Sequence, residues 1–263
     1  MPGEAEKCAD CAKPLLLDPD NTGGGRQTFM SIIMSNILVK PLEDGSYSLT
    51  VAGYVLIGVI IFAALVLIAR IGNHGRKTGA KQIAFSAAAI ALATVTSMIQ
   101  FWKMPMGGGV TLFSMLFIVL IGYWYGPTVG ISAGIAYGLL QFVLDPYIVS
   151  LPQVLFDYVF AFGALGISGF FSRKKHGLLI GYIVGITGRF VFSFLSGVIF
   201  FGIYASDTLA QFGIHVGAAA APFVYSALYN GAYIYAEGAI TIVLLCIPPV
   251  AAALRQVKAQ ATT

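Results

Sequence analysis

The stretch VTLFSMLFIVLIGYWYGPTVGISAGIAYGLLQFVL, residues 110–144, is a continuous apolar tract that contains no charged side chain. A transmembrane helix needs roughly 20 predominantly apolar residues, so this tract is too long for a single crossing. Gly126-Pro127 stands in its interior, and a Gly-Pro pair is typical of a turn. The tract therefore predicts two membrane helices that meet at this pair, the first of them short.

The composition of the whole chain is that of a membrane protein. Of its 263 residues, 58% are hydrophobic and only 10% are charged, whereas a soluble domain carries about 25% charged residues. The chain also has 31 glycines, and small residues let membrane helices approach one another closely. We therefore expect an all-α integral membrane protein whose outer surface faces the lipid bilayer.

Five further apolar segments predict membrane spans on either side of the tract. They are residues 50–71, 82–102, 152–171, 178–201 and 218–253. The last segment is too long for one crossing, so either its helix is tilted or Pro248-Pro249 ends it. Together with the two helices of the central tract, the sequence predicts seven spans.

The distribution of Lys and Arg predicts the orientation of the chain in the membrane, because cytoplasmic loops carry an excess of these residues. With seven spans, nine basic residues fall on one side: Arg70, Arg76, Lys77, Lys81, Arg173, Lys174, Lys175, Arg255 and Lys258. We therefore expect a multi-pass protein of the cell membrane with its N-terminus outside and its C-terminus in the cytoplasm. The net charge of +4 then reflects topology, and no nucleic-acid partner is expected.

Residues 1–49 predict an extracytoplasmic N-terminal extension that is partly disordered. The sequence DPDNTGGG, residues 18–25, reads as a turn-rich linker. Residues 27–39 have scattered apolar side chains, and either an interfacial helix or a poorly ordered extension fits them. Cys8 and Cys11 form a single C-x-x-C without a second pair at zinc spacing, so the sequence assigns them no role.

Three charged residues lie well inside the predicted spans, namely Asp157, Arg189 and Glu237. Charged side chains at membrane depth are costly and face a cavity or a partner. One interpretation is a structural ion pair between helices, for example Asp157 with Arg189. The other is a polar cavity that accepts a solute.

The residues on two predicted helix faces favour the interpretation as a polar cavity. Arg189, Ser193, Gly197 and Phe201 follow one another at intervals of four residues, which places them on one side of a helix. The last span contributes Tyr225, Tyr229, Asn230 and Tyr233. A carboxylate, an amide and several aromatic rings suit a flat, cationic heteroaromatic ligand, although aromatic residues along a membrane helix more often pack against lipid or other helices.

Small residues recur at intervals of four along the span 82–102, in pairs such as Ala84/Ala88 and Ala87/Ala91. Such a stripe lets another helix pack closely. The partner helix is either within this chain or in another subunit, and the pattern alone leaves both open.

Motifs for catalysis are absent from the sequence. It has no G-x-x-x-x-G-K-[ST] phosphate loop, no H-E-x-x-H and no G-x-S-x-G. Its three histidines, at positions 74, 176 and 215, all lie outside the predicted spans. We therefore expect a protein that is not an enzyme and holds no metal or cofactor.

Four segments in order resemble one known family: KMPMGGGVTL (103–112), VLFDYVFAFGALGISG (154–169), residues 189–204, and VYSALYNG (224–231). Together they are similar to the thiamine-specific substrate-binding (S) component of energy-coupling factor (ECF) transporters, the ThiT/YuaJ family. The resemblance covers about residues 80–255. It implies a six-helix S-component bundle over 80–255, which residues 50–71 would precede as one extra transmembrane helix.

The resemblance also implies a thiamine pocket near the outer face of the bundle. The residues that match the family's pocket positions are Asp157, Tyr158, Arg189, Ser193, Gly197, Phe201, Tyr225 and Asn230. The loop at 103–109 would cover this pocket as a gate, with Met104, Gly107 and Gly108 at its centre. Ala84 and Ala88 match the surface that docks to the transmembrane coupling (T) subunit, and two ATPase subunits would supply the energy.

The sequence departs from the family at two pocket positions. Ser193 stands where many members have histidine, and Phe201 stands where some have tryptophan, so an aminopyrimidine precursor or analogue is an alternative ligand to thiamine. A proton-coupled secondary transporter that uses Asp157 or Glu237 as its titrating group is the alternative mechanism. An intramembrane enzyme is a third interpretation, for which the sequence offers no catalytic constellation.

Overall fold

The computed structural model describes residues 39–41, 47–53, 55–56, 59 and 79–262. Strand β1 (Val39–Pro41) pairs antiparallel with β2 (Tyr47–Leu49), and residues 51–53 are helical. Cys8, Cys11, most of the N-terminal extension and most of the predicted extra span 50–71 lie outside the described residues. The count of seven spans and the domain boundaries at 49 and 71 therefore stay predictions.

From residue 79 onward the fold is a helical bundle. The helices are α1 (Ala80–Ser97), α2 (Ser114–Tyr125), α3 (Pro127–Leu144), α4 (Leu151–Phe171), α5 (Gly177–Phe200), α6 (Ala205–Gln211), α7 (Ala221–Cys246) and α8 (Pro248–Thr262). Within the described part, five of them are long and apolar enough to cross a membrane, namely α1, α3, α4, α5 and α7. The coarse prediction of a helical, multi-pass membrane protein is confirmed.

The central apolar tract divides where the sequence predicts. Helix α2 ends at Tyr125 and α3 begins at Pro127, with Gly126 between them at φ 95°. This backbone conformation favours glycine, which has no Cβ to clash, and proline is well suited to the first position of a helix. Helix α2 is the most enclosed helix of the bundle, since Met115, Ile118 and Ile121 are fully buried.

The purely α-helical prediction is wrong at the loop between α1 and α2. There β3 (Gln100–Lys103) pairs antiparallel with β4 (Gly109–Thr111), and a short 3₁₀ turn (Pro105–Gly107) joins the two strands. The predicted spans 82–102 and 110–125 therefore extend too far, since α1 ends at Ser97 and α2 begins at Ser114. We refer to residues 100–111 as the hairpin.

Helix α4 is irregular where it carries Asp157. Residues Leu155–Phe160 form a π-helical segment, and Leu165–Phe171 form a 3₁₀ segment. π-Helical segments are rare and occur frequently at functional sites, because the extra residue per turn redirects side chains. Here the segment contains Asp157 and Tyr158, the acidic and aromatic pair of the predicted pocket.

The long last segment, residues 218–253, ends its first helix before Pro248-Pro249, which is one of the two predicted alternatives. Helix α7 ends at Cys246, Ile247 is extended, and Pro248 opens α8, in keeping with the preference of a residue before proline for extended backbone. Helix α8 then packs across one end of the bundle. The Tyr125 hydroxyl donates to the Ala261 carbonyl at 3.2 Å.

Candidate functional site

A cavity of about 140 Å³ lies beneath the hairpin and between α3, α4, α5 and α7. All eight residues predicted to bind a ligand line it: Asp157, Tyr158, Arg189, Ser193, Gly197, Phe201, Tyr225 and Asn230. Tyr229 and Tyr233, from the aromatic face of the last span, line it as well. The fold thus brings together residues in or next to three helices, α4, α5 and α7, although Asp157 and Asn230 are 73 positions apart in the sequence.

The hairpin forms the roof of the cavity and is fastened to α7. The Gly108 amide donates to the Tyr229 hydroxyl oxygen at 3.0 Å, and the Tyr229 hydroxyl donates to the Pro105 carbonyl. The Tyr225 hydroxyl donates to the Met106 sulfur at 3.2 Å. Two adjacent tyrosines of α7 therefore hold the tip of the hairpin in a closed position.

Of the three predicted gate residues, two line the cavity and one does not. Gly107 and Gly108 are part of the lining, together with Met106, whereas Met104 packs against the hydrophobic core. Gly107 has φ 91°, and a Cβ on Gly108 would meet the Tyr229 hydroxyl oxygen at 2.8 Å. The glycines therefore allow the tight turn and the close approach of the hairpin to α7.

Asp157 is oriented by a buried amide. Its Oδ2 accepts a hydrogen bond from Gln153 Nε2 at 2.7 Å. The same Nε2 donates to the Tyr147 carbonyl at 3.3 Å, and Gln153 Oε1 accepts from the Val149 amide at 3.0 Å. Gln153 is 1% exposed, so it fixes the carboxylate within the cavity wall.

Arg189 faces two aromatic rings. Its guanidinium carbon lies 4.3 Å from the centre of the Phe162 ring and 5.9 Å from that of Tyr233, which are cation–π distances. Its Nε is buried without a hydrogen-bond partner. The alternative of an Asp157–Arg189 ion pair is wrong for this structure: among the described residues, the pair that forms is Lys103–Asp145, at 3.3 Å.

Asn230 joins α5 to α7 at the floor of the cavity. Its Nδ2 donates to the Ser193 carbonyl at 3.2 Å and to the Ser226 carbonyl at 3.0 Å. Its Oδ1 accepts from the Tyr233 hydroxyl at 3.0 Å. Both ends of the amide thus have protein partners, which makes Asn230 a rigid part of the wall.

Aromatic rings form the remaining walls. Tyr147 and Phe201 are nearly parallel, at 24° and 5.9 Å between ring centres. The Tyr158 hydroxyl donates to the Asp145 carbonyl at 3.0 Å and accepts from the Tyr147 amide at 3.1 Å. This contact fixes the segment that follows α3, so that the Tyr147 ring faces the ring of Phe201.

The cavity also contains residues that sequence reasoning missed. They are Gln100, Met106, Gly109, Thr111, Gln141, Asp145, Tyr147, Gln153 and Phe162. Four of them lie outside the predicted spans, Met106 and Gly109 in the hairpin and Asp145 and Tyr147 between α3 and α4. Gln153 could have been predicted, because it precedes Asp157 by four residues and therefore shares a helix face with it.

Glu237, the third charged residue at membrane depth, does not line the cavity. Its two oxygens accept hydrogen bonds from the Thr111 amide and hydroxyl at 3.2 and 2.6 Å, the Ser114 hydroxyl at 3.3 Å and the Met115 amide at 3.1 Å. It therefore caps the first turn of α2 from the neighbouring helix, as a carboxylate at a helix N-terminus does.

Ala84 and Ala88 lie on the exposed face of α1, as do Ala87 and Ala91. In contrast, Ala89 and Ala93 are buried against the bundle. The small-residue stripe is therefore not used for packing within the part of the chain that the structure describes.

Known proteins resemble this chain in sequence and in fold. The family described as thiamine transporter protein (YuaJ) matches residues 83–256. The thiamine transporter ThiT of Bacillus subtilis (strain 168) is 32% identical over 176 residues, which are 62% of this chain and 84% of that protein.

A solved structure of ThiT from Listeria monocytogenes superposes with a TM-score of 0.51 at 23% identity, covering 64% of this chain and 94% of that one. At this identity the likeness shows the fold. The family match covers most of the chain and the helices that carry the cavity. The chain therefore belongs to the ThiT/YuaJ family of thiamine transporter proteins, which are transporters and not enzymes.

Proposed function

We propose that this protein is the thiamine-binding membrane subunit of an ECF-type vitamin uptake transporter. The observation that carries the proposal is the convergence of Asp157 and Arg189, unpaired with each other, on one aromatic cavity under a closed hairpin. Burying a charge without a charged partner is costly. The cost is explained if a ligand with complementary groups completes the site.

Thiamine has the chemistry that these walls would complement. Its aminopyrimidine ring carries an amino group that donates hydrogen bonds, and its thiazolium ring carries a positive charge. The Asp157 carboxylate would accept from the amino group and offset the charge. The parallel rings of Tyr147 and Phe201 and the tyrosines of α7 would contact the flat rings.

The size of the cavity bears on how the ligand would enter. A cavity of about 150 Å³ holds a ligand the size of benzene, and the cavity under the hairpin is of similar volume, about 140 Å³. A two-ring ligand therefore requires the hairpin to move outward. We infer that the hairpin is the gate, and that Tyr225 and Tyr229 hold it closed when their bonds to Met106, Pro105 and Gly108 are made.

The orientation and the partners form the rest of the proposal. The N-terminus would lie outside and the C-terminus in the cytoplasm, with the hairpin at the outer face. Support comes from the end of the bundle opposite the hairpin, where Lys175, Arg255 and Lys258 lie. The exposed stripe with Ala84 and Ala88 would dock to the T subunit, and two ATPases would drive delivery into the cell.

Ligand binding is tested with purified full-length protein, by the quenching of its aromatic fluorescence on titration with thiamine. We expect saturable binding that Asp157→Asn weakens by roughly 10- to 100-fold, since hydrogen bonds to charged groups contribute about 1.5–3 kcal/mol. Asp207→Asn, which changes an exposed carboxylate of α6, is the matched control and should bind as the wild type does. If neither thiamine nor its aminopyrimidine fragment binds, the proposal is wrong.

The energy source needs a separate experiment. Vesicles that contain the protein alone should not accumulate thiamine under a pH gradient, whereas vesicles that also contain the T subunit and the ATPases should do so with ATP. Uptake by the protein alone would favour the proton-coupled alternative. The four hydrogen bonds to Glu237 speak against that residue as the proton carrier.

A further inference from the structure

A second cavity lies at the end of the bundle opposite the hairpin, where the start of α5 meets the α7–α8 junction. Its volume is about 420 Å³, which is within the range of roughly 300–1,000 Å³ for small-molecule sites. It shares no lining residue with the cavity under the hairpin. We propose that this second cavity binds the headgroup of an anionic phospholipid.

The rim of the cavity is basic. Lys175, His176 and Arg255 line it, and Lys175 and Arg255 come from two different elements, the α4–α5 loop and α8. Arg173 and Lys174 precede Lys175 in the same loop, and Lys258 follows Arg255 by one turn of α8. The four acidic residues between 79 and 262 are Asp145, Asp157, Asp207 and Glu237, and none of them lines this cavity.

The walls of the cavity are apolar and lead to the lipid-facing surface. Leu178, Leu245 and Leu254 line it beneath the basic rim. Val243, on α7, is 67% exposed, and Ile247, between α7 and α8, is 42% exposed. The basic rim is complementary to the phosphate group of a lipid, and the apolar wall is complementary to its acyl chains. A soluble anion would contact the rim but gain nothing from the apolar wall.

Helix α8 is held in place to complete this site. Lys258 Nζ donates to the Ser172 carbonyl at 3.1 Å and lies 3.7 Å from the centre of the Tyr123 ring. Tyr123 itself lines the cavity. These contacts fix α8 across the end of the bundle, where Arg255 lines the same cavity as Lys175 and forms no ion pair with any described acidic residue.

The test measures lipid retention by the full-length protein. Protein freed of lipid in detergent is mixed with equal amounts of phosphatidylglycerol and phosphatidylcholine of the same acyl chains, and bound lipid is counted by native mass spectrometry. We expect phosphatidylglycerol to be retained in preference. The double variant Lys175→Gln/Arg255→Gln should lower its retention roughly tenfold, because each basic residue near an anionic headgroup contributes to binding, and should leave phosphatidylcholine unchanged.

The matched control is Lys81→Gln/Arg173→Gln, which removes two exposed charges from the same end but outside the lining. It should retain phosphatidylglycerol as the wild type does. Equal retention of the two lipids, or an equal loss in the control variant, would overturn the proposal. Displacement of phosphatidylglycerol by excess inorganic phosphate would show a site for soluble anions instead, and would also overturn it.

A second measurement leaves all the basic residues intact. Cys246 is a free, exposed thiol in the cavity lining, and in a Cys8→Ser/Cys11→Ser background a maleimide labels it alone. Labelling in phosphatidylglycerol vesicles should be at least about threefold slower than in phosphatidylcholine vesicles, since a seated ligand buries the walls of its pocket. Equal rates in the two vesicles would contradict the proposal independently of thiamine binding.

Discussion

The surroundings of Asp157 and those of Glu237 differ, although both carboxylates lie at membrane depth in the same bundle. Glu237 accepts hydrogen bonds from four donors of the hairpin and the first turn of α2. Asp157 accepts one bond from Gln153 and faces the cavity under the hairpin. A buried carboxylate whose lone pairs are filled by the protein stabilises the fold, whereas one turned to a cavity is available to a ligand.

The largest effect on stability is expected for Glu237→Ala. The change removes the acceptor of the buried Met115 amide and of the half-buried Thr111 amide, and an unsatisfied buried donor costs about 1–3 kcal/mol. We expect the free energy of unfolding to fall by roughly 3 kcal/mol, measured by thermal unfolding in detergent. Glu237→Gln keeps one acceptor oxygen and should lose less. If Glu237→Ala were as stable as the wild type, Glu237 would not stabilise the fold, and this part of the comparison would be wrong.

Asp157→Ala should show the opposite behaviour. The variant loses the hydrogen bond from Gln153 but also removes the cost of a buried carboxylate without a charged partner, so the free energy of unfolding should change by no more than about 1 kcal/mol. Thiamine affinity, measured by fluorescence titration, should fall by at least roughly tenfold. If Asp157→Ala unfolds as readily as Glu237→Ala does, then Asp157 is a structural residue and the two carboxylates do not differ in role.

The residues that line the cavity were predicted better than the hairpin that lies over it. The eight binding residues that the family resemblance implies all line one cavity, and for four of them, from Arg189 to Phe201, the spacing of four residues already indicated a common helix face. The division of the central tract at Gly126-Pro127 was also predicted, because both residues are local signals of a turn. The binding role of these residues stays a prediction that the titrations above would test.

The hairpin escaped prediction because its first strand, Gln100–Lys103, follows α1 with apolar Phe101 and Trp102. Hydropathy gives such a segment the same score whether it is helical or extended, so residues 82–102 read as one span. Tyr147 was missed for another reason. It is a single aromatic residue after Pro146, and tertiary contacts of the Asp145–Tyr147 backbone with Tyr158 and Gln153 bring it to the cavity.

Gly108→Ala should act on the gate and leave both carboxylates intact. The added Cβ would lie 2.8 Å from the Tyr229 hydroxyl oxygen and 3.0 Å from Tyr233 Cδ1, so the closed hairpin must shift. Overpacking of this kind costs about 1–3 kcal/mol. We expect thiamine to dissociate faster in stopped-flow measurements, by roughly tenfold. Gly217→Ala, where the structure has open space around the glycine, is the control.

The smallest effect is expected for Lys103→Gln, which removes the ion pair with Asp145 between the hairpin and the end of α3. The two atoms are 3.3 Å apart, but both side chains are more than half exposed, and exposed pairs contribute about 0.2–1 kcal/mol. Thiamine dissociation should therefore accelerate less than about fivefold, and the difference from the wild type should vanish at high salt because ions screen exposed charges. A larger change that still vanishes at high salt would mean that this exposed pair, and not the tyrosines of α7, holds the hairpin closed.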